Sequence, residues 1–281
     1  FKGIDIALFA GGSISKDFAP HAVKAGAVVI DNSSAFRMDP EVPLVVPEVN
    51  PQAILKHKGI IANPNCSTII MVMALKPIYD LAKIKRVIVS TYQAVSGAGK
   101  EGIDELDAQV RDHSEGREMT ANILPSASAE KHYPIAFNLI PQIDVFCDNL
   151  YTKEEMKMVN ETKKIMEDYE MRITATTIRV PVYRSHSESV NIELEKEVDL
   201  GAMREALAKF PGVTVQDDPS KQEYPMPLYT SEKDDVYVGR LRRDESCEKS
   251  YNIWVVGDQI RKGAALNTLQ IAETMIKNGW I

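Results

Sequence analysis

Ile4-Asp5-Ile6-Ala7-Leu8-Phe9-Ala10-Gly11-Gly12-Ser13 is the stretch on which the fold prediction depends. Its apolar run is short and nearly uninterrupted, as in a strand of a parallel sheet that is covered on both faces. The glycines that follow predict a turn at the carboxyl end of the strand, the edge where such sheets bind ligands. We therefore interpret residues 4–13 as the first strand and turn of an α/β sheet.

The residues that follow extend this sheet. A helical pattern from about Ser15 to Ala25 leads to a second apolar segment, Ala27 to Asp31, so the chain opens with a β-α-β unit. Val42 to Val46 and Gly59 to Asn63 are short apolar segments that predict two further strands. Together they predict part of a doubly wound, Rossmann-type sheet.

A different pattern begins at Cys66. A helix is predicted from Ser67 to about Ala82, and the late strands Asp235 to Arg243 and Tyr251 to Gly257 have an antiparallel pattern. We predict an α+β domain with a mixed or antiparallel sheet over residues 66–262. The final helix, Ala264 to Asn278, is expected to return to the first domain, which then consists of residues 1–65 and 263–281.

Composition excludes several classes of function. The 281 residues carry a formal net charge of −7, which opposes binding to a nucleic-acid backbone. No stretch approaches the roughly 18 apolar residues of a membrane span, and we expect a cytoplasmic protein that binds no membrane. Three cysteines without C-x-x-C spacing fit neither a disulfide framework nor a metal site, so no metal is expected.

Cys66 is the cysteine with a chemically suggestive position. At the first turn of a helix, unpaired N–H groups and the helix dipole favour negative charge, so we expect a stabilised thiolate. Asn65 and Ser67 flank it with further donors for an oxyanion. The alternative is that Cys66 is a small apolar residue of the core.

Four segments, in order along nearly the whole chain, resemble the signatures of aspartate-semialdehyde dehydrogenases. The first contains Cys66, and the fourth has the pattern of the segment that carries the family's substrate arginine and general base. The segments are Asn63-Pro64-Asn65-Cys66-Ser67-Thr68, Gln93-Ala94-Val95-Ser96-Gly97-Ala98-Gly99, Phe137-Asn138-Leu139-Ile140-Pro141-Gln142-Ile143-Asp144, and Arg179-Val180-Pro181-Val182 followed by His186-Ser187-Glu188-Ser189.

This resemblance implies a reversible reaction between L-aspartate 4-semialdehyde and 4-phospho-L-aspartate in lysine, threonine and methionine biosynthesis. Cys66 would be the nucleophile that forms a thioester, His186 the acid and base, and Gln93 the residue that orients the acyl group. A side chain that titrates near neutrality suits the role given to His186. Residues 66–262 would be the catalytic and dimerisation domain.

The resemblance also implies the substrate contacts. Arg179 would bind the α-carboxylate through its planar fork, Arg37 and Lys157 the phosphate, and Glu154 the amine. Asn65 is also expected to contact the substrate. For Glu154 and Lys157 the generic alternative is an intrahelical ion pair, and the neighbouring Glu155 leaves the register open.

NADP is the cofactor that the resemblance implies, bound by residues 1–65 and 263–281. Glycine loops are weak evidence by themselves. The family also begins with a strand and a Gly-x-x-Gly-x-x-Gly loop, which this sequence lacks. We therefore expect the first two strands to be missing, and a chain that retains the thiol chemistry but binds NADP poorly. The residues expected near the cofactor are Gly11, Gly12, Ser13, Ser33, Ser34, Ser96, Gly97, Gly99 and Asn267.

Two alternatives remain open at this point. N-acetyl-glutamyl-phosphate reductase shares the thioester chemistry but favours Asn-Pro-Gly-Cys, where this chain has Asn65 in place of the glycine. The other alternative is a non-catalytic paralogue. The second domain's sheet is a plausible dimerisation surface, so we expect a homodimer or homotetramer.

Overall fold

The computed structural model describes residues 1–281, and none of its helices is both long and apolar enough to span a membrane. The strands are β1 (Ile6–Phe9), β2 (Val28–Asp31), β3 (Ile60–Ala62), β4 (Ile84–Gln93), β5 (Arg172–Arg179), β6 (His186–Leu194), β7 (Val213–Val215), β8 (Val236–Arg243) and β9 (Ser250–Gly257). The helices are α1 (Ser15–Lys24), α2 (Cys66–Leu81), α3 (Lys100–Ser114), α4 (Lys153–Met166), α5 (Leu200–Lys209), α6 (Pro227–Thr230) and α7 (Leu266–Lys277).

The first sheet is parallel, with the strand order β1-β2-β3. Ile30 in the middle strand pairs with Leu8 on one side and Ile61 on the other, and both isoleucines are fully buried. The predicted strand at Val42 to Val46 is wrong, because this segment makes only a bridge at Leu44. Pro43 has no N–H to donate and Pro47 follows directly, so the pairing cannot extend.

The second sheet is mixed, with the order β5-β4-β6-β9-β8-β7. The pairs β4–β5 and β7–β8 are parallel and the other pairs are antiparallel. This confirms the predicted fold class of a Rossmann-type sheet joined to an α+β region with a mixed sheet. Helix α2 packs in the main core of 34 buried residues, which includes Leu44 and Ala62 from the first region as well as β4, β6 and β9.

Asn65 fixes the start of α2. Its Oδ1 accepts hydrogen bonds from the N–H groups of Ser67 (3.0 Å) and Thr68 (3.2 Å), so the helix begins at Cys66. Because β3 ends at Ala62, only two residues separate the first sheet from this cap. Cys66 consequently lies where the two sheets meet.

The chain enters α7 through a π-helical turn, Arg261–Ala265, so the last helix begins later than the predicted Ala264. Lys262 in this turn is 1% exposed. Its ammonium donates to the Oε2 atom of Glu48 (2.6 Å), the Oδ1 atom of Asn267 (2.9 Å) and the Oε1 atom of Gln270 (2.7 Å). Three acceptors satisfy the three N–H groups of this buried cation. The turn places Gly263 so close to Cys66 that a Cβ atom at Gly263 would lie 3.1 Å from the Cβ atom of Cys66.

Candidate active site

A cavity of about 390 Å³ opens at the start of α2, between the two sheets. It is lined mostly by polar side chains, and two loops of the first region contribute to it as well as α4, β4 and β5. The predicted site residues that line it are Ser34, Arg37, Asn65, Cys66, Gln93, Ser96, Gly97, Glu154, Lys157 and Arg179. Residues more than a hundred positions apart thus converge on one thiol.

Cys66 is protonated in this arrangement, contrary to the predicted stabilised thiolate. Burial, and after it the negative charge of Glu154, raise the pKa of the thiol to about 12. The charges of Arg37 and Arg179 and the Ser67 N–H act in the opposite direction and are outweighed.

His186 lies at the start of β6, directly behind Gly97: a Cβ atom at Gly97 would lie 3.4 Å from the His186 Nε2 atom. Its pKa is lowered well below 6.5, by burial first and by the charge of Arg179 second. The predicted titration near neutrality is therefore wrong for the resting site. The Ala94 N–H donates to Nδ1 (3.1 Å), so a neutral ring carries its proton on Nε2.

Gln93 and Arg179 end neighbouring strands, where they pair across β4 and β5. The Gln93 Nε2 atom donates to Glu154 Oε1 (3.2 Å) and lies 3.4 Å from His186 Nε2. The NH1 group of Arg179 donates to the Ala94 carbonyl (2.7 Å), and its Nε atom is buried without a protein partner. A buried guanidinium with unused donors is suited to bind a carboxylate.

Helix α4 presents a charged face to the cavity. Glu154 accepts hydrogen bonds from Asn65 Nδ2 (2.9 Å) and Lys157 Nζ (3.0 Å), and Lys157 also donates to Asp144 (3.1 Å). Glu155 instead closes a capping box with Thr152 and accepts from the Thr177 N–H (3.0 Å). Glu154 is therefore the glutamate that reaches the site, although it also forms the intrahelical pair with Lys157.

The sequence prediction missed Glu161, which lies seven positions beyond Glu154 on the same helix. Its Oε2 atom accepts from the Asn65 backbone N–H (2.6 Å), and its Oε1 atom from Arg37 NH1 (3.3 Å). Burial raises the pKa of Glu161, although Arg37 and the Asn65 N–H act to lower it. The periodicity of α4 was the available signal, because positions i and i+7 share a helix face. Also missed were the cavity-lining residues Asn32, Ile143, Gln259, Ile260, Gly263 and Ala264.

Not all of the expected cofactor contacts reach the cavity. Gly11, Gly12 and Ser13 follow β1 at the carboxyl edge of the parallel sheet, outside the cavity. Ser33 follows β2 and also lies outside the cavity lining, where it donates to Asp31 (2.5 Å). Gly99 ends the Val95–Ala98 turn with φ at +82°, also outside the cavity lining.

Asn267 also lies outside the cavity lining. It is fully buried, and its amide donates to the Val45 carbonyl (3.0 Å) and to Asn63 Oδ1 (2.7 Å). Gly263 and Ala264, in the π-helical turn before α7, line the cavity at this end of the chain.

Comparisons with known proteins agree with this geometry. Residues 75–262 match the family model described as "Semialdehyde dehydrogenase, dimerisation domain", and residues 1–57 match "Semialdehyde dehydrogenase, NAD binding domain". The aspartate-semialdehyde dehydrogenase of Aquifex aeolicus is 58% identical over 100% of this chain and 82% of its own length. That of Bacillus subtilis is 54% identical over 99% of this chain and 81% of its own length.

Solved structures give the same result. Aspartate semialdehyde dehydrogenase II from Vibrio cholerae is 48% identical, with a TM-score of 0.92 over 97% of this chain and 80% of that chain. The same protein complexed with ASA is 47% identical, with a TM-score of 0.91 over the same shares. The chain therefore belongs to the aspartate-semialdehyde dehydrogenase family.

Proposed function

We propose that this protein catalyses the NADP-dependent reversible oxidation and phosphorylation of L-aspartate 4-semialdehyde to 4-phospho-L-aspartate, through a thioester on Cys66. The observation that carries the proposal is the placing of one thiol in a cavity with two arginines whose charges both act on it, Arg37 and Arg179. An aldehyde substrate with a carboxylate at one end, attacked in turn by phosphate, needs a nucleophile and two separate anion sites.

The charges of the cavity suit this substrate. Arg179 would bind the α-carboxylate through its unused donors, and Glu154 the substrate ammonium. Arg37 and Lys157 would bind the phosphate, Lys157 by exchanging its present carboxylate partners for phosphate oxygens. Asn65 holds the nucleophile segment by capping α2 and donating to Glu154.

The covalent steps start and end at the Cys66 sulfur. Attack on the aldehyde carbon moves the thiol proton to the carbonyl oxygen and gives a hemithioacetal. Loss of a hydride and of the hydroxyl proton leaves the thioester, and attack by phosphate releases 4-phospho-L-aspartate and restores the sulfur. Gln93, beside Glu154 and His186, would orient the acyl oxygen.

His186 can act in two of these steps. In the resting tautomer its Nε2–H can donate a hydrogen bond to the oxygen that becomes negative, as neutral imidazole does in other enzymes. To take the hydroxyl proton, Nε2 must be free. We therefore propose that the ring exchanges tautomers and releases the Ala94 N–H in the oxidative direction.

The residues beside Cys66 fit the nicotinamide end of NADP. Gly97 and Gly263 carry no side chain and leave room next to the thiol, while Ser34 and Ser96 offer polar groups in the same cavity. When bound, the cofactor supplies a hydride acceptor. Gly11, Gly12, Ser13 and Ser33, at the carboxyl edge of the parallel sheet, would hold more distant parts of it. Poor binding of NADP stays a prediction that a cofactor titration would check.

The proposal includes the larger organisation. Residues 1–65 and 263–281 would form the cofactor domain, and residues 66–262 the catalytic and dimerisation domain of a homodimer or homotetramer. The family match of residues 75–262 to a dimerisation domain supports this division. The biosynthetic role implied by the family would place the enzyme in the cytoplasm.

The test is turnover of aspartate semialdehyde with phosphate and NADP, followed as NADPH absorbance. Cys66→Ala should abolish it, while Cys147→Ala, a matched free cysteine of similar exposure, should leave it unchanged. Turnover that survives in Cys66→Ala would refute the mechanism. Preference for N-acetylglutamate semialdehyde would favour the reductase alternative, and inactivity of the unmodified chain with both aldehydes would favour a non-catalytic paralogue.

A further inference from the structure

Glu161 of α4 contacts both the nucleophile segment and the arginine assigned to phosphate. Its side chain is 1% exposed. One carboxylate oxygen accepts from the Asn65 backbone N–H (2.6 Å), and the other accepts from Arg37 NH1 (3.3 Å). A buried carboxylate divided between two such partners sets the distance between them.

The contact with Asn65 is the shorter of the two. Asn65 directly precedes Cys66, and its side chain is already committed to capping α2 and to donating to Glu154 (2.9 Å). Two carboxylates of one helix, Glu154 and Glu161, therefore hold Asn65 from its side chain and from its backbone. Hydrogen bonds to an ionised acceptor are stronger and more directional than neutral ones, so the peptide before Cys66 has little freedom.

The contact with Arg37 leaves that residue ready for an anion. A guanidinium has five N–H donors. Three serve the protein, through Nε to the Asn63 carbonyl (2.9 Å), NH2 to the Asn32 carbonyl (3.0 Å) and NH1 to Glu161. One N–H on each terminal nitrogen remains, in a plane that the three bonds fix.

The next residue of the same helix face supports this arrangement. Lys164, three positions after Glu161, donates through Nζ to the backbone carbonyls of Arg37 (2.8 Å), Asp39 (2.7 Å) and Val42 (2.8 Å). Helix α4 therefore fixes both the side chain and the backbone of Arg37.

We propose that Glu161 is a positioning residue, which holds the Arg37 guanidinium in register with Asn65 and Cys66 so that bound phosphate lies within reach of the acyl carbon on sulfur. This inference rests on the proposed function and deepens it by naming what determines phosphate use. It separates phosphate binding from aldehyde binding, because Glu161 makes no contact with Arg179.

The test compares Glu161→Gln with Glu155→Gln. Glutamine at 161 can still accept from Asn65, but its amide group faces the Arg37 donors and loses the ion pair. The KM for phosphate should rise about tenfold, the factor expected for loss of one charged hydrogen bond, while the KM for the semialdehyde stays within about twofold. Glu155→Gln, which alters another buried carboxylate of α4, the one in the capping box, should leave both values unchanged.

Three outcomes would overturn the proposal: an unchanged phosphate KM, an equal rise in both KM values, or tighter phosphate binding, which would make Glu161 a competitor of phosphate. Glu161→Asp, which keeps the charge and shortens the reach, replaces Glu161→Gln if that variant fails to fold, with the same expected direction. Calorimetric titration with inorganic phosphate alone distinguishes this inference from the proposed function. If phosphate binds Glu161→Gln more weakly than the unmodified protein, the role of Glu161 is supported even if no aldehyde is turned over. If phosphate binds the two proteins equally, the role of Glu161 is rejected.

Discussion

The resting thiol of Cys66 should be far less reactive than an ordinary cysteine, and Glu154→Gln should activate it. A pKa of about 12, against 9.0 for an unperturbed thiol, lowers the thiolate fraction near pH 8 roughly a thousandfold. Glu154 is the second cause of this rise, after burial. Removing its charge also leaves Lys157 with Asp144 as its one carboxylate partner, so we expect the apparent pKa of the thiol to fall by about one unit and the thiolate fraction to rise about tenfold.

The assay is alkylation by iodoacetamide from pH 7 to pH 10, read for each cysteine by mass spectrometry of its peptide. The exposed Cys247 is an internal control in every sample. The pH dependence matters more than the absolute rate, because a narrow cavity slows the reagent at every pH. The reasoning would be refuted if the apparent pKa of Cys66 in the unmodified chain lay below 9, or if Glu154→Gln left the apparent pKa of Cys66 unchanged.

Three further changes test other parts of the structure. Gly97→Ala would bring a Cβ atom to 2.7 Å from Arg179 NH1, so the KM for the semialdehyde should rise about tenfold in steady-state assays while the melting temperature changes little. Glu188, fully buried with both oxygens unpartnered, has its pKa raised well above 4.5 by burial, so folding stability should fall as the pH rises above 4.5. Glu188→Gln should remove this trend, which is at most about 1.4 kcal/mol per pH unit between 4.5 and the raised pKa, in denaturant unfolding at a series of pH values above 4.5. Lys262→Met should cost about 3–5 kcal/mol in urea unfolding, against under about 1 kcal/mol for Lys56→Met in an exposed ion pair.

The fold was largely predictable because its strands alternate or run apolar in recognisable lengths. β1, β2 and the late antiparallel strands lie within a few residues of their predicted places. The segment from Val42 to Val46 was wrongly predicted as a strand because its composition is apolar. Pro43 within it has no backbone N–H to donate to a neighbouring strand. Hydrophobicity reports burial, whereas strand pairing depends on hydrogen-bond donors as well.

The position of site residues was predictable where a local motif carries them, since Cys66 and Gln93 both line the cavity. The electrostatics of the site were not. The position of Cys66 at a helix start favoured a thiolate, but the folded chain buries the thiol, and Glu154 approaches it from a helix almost ninety positions away in the chain. The sequence prediction missed Glu161 for the same reason, because Glu161 meets its partners Arg37 and Asn65 only in the folded chain.

The buried Lys262 has a consequence for how this sequence can change over evolutionary time. Replacing Glu48 alone would leave an ammonium in the interior with two neutral amides, and replacing Lys262 alone would leave the Glu48 carboxylate and the two amide oxygens without their shared donor. Either single step breaks the ion pair of a buried ammonium, so in an alignment of relatives positions 48 and 262 should vary together or not at all. Gly263 follows Lys262 directly and packs against Cys66, so substitutions at positions 48 and 262 would also move the backbone beside the nucleophile. Selection on catalysis should therefore extend to these two residues, although neither touches the substrate.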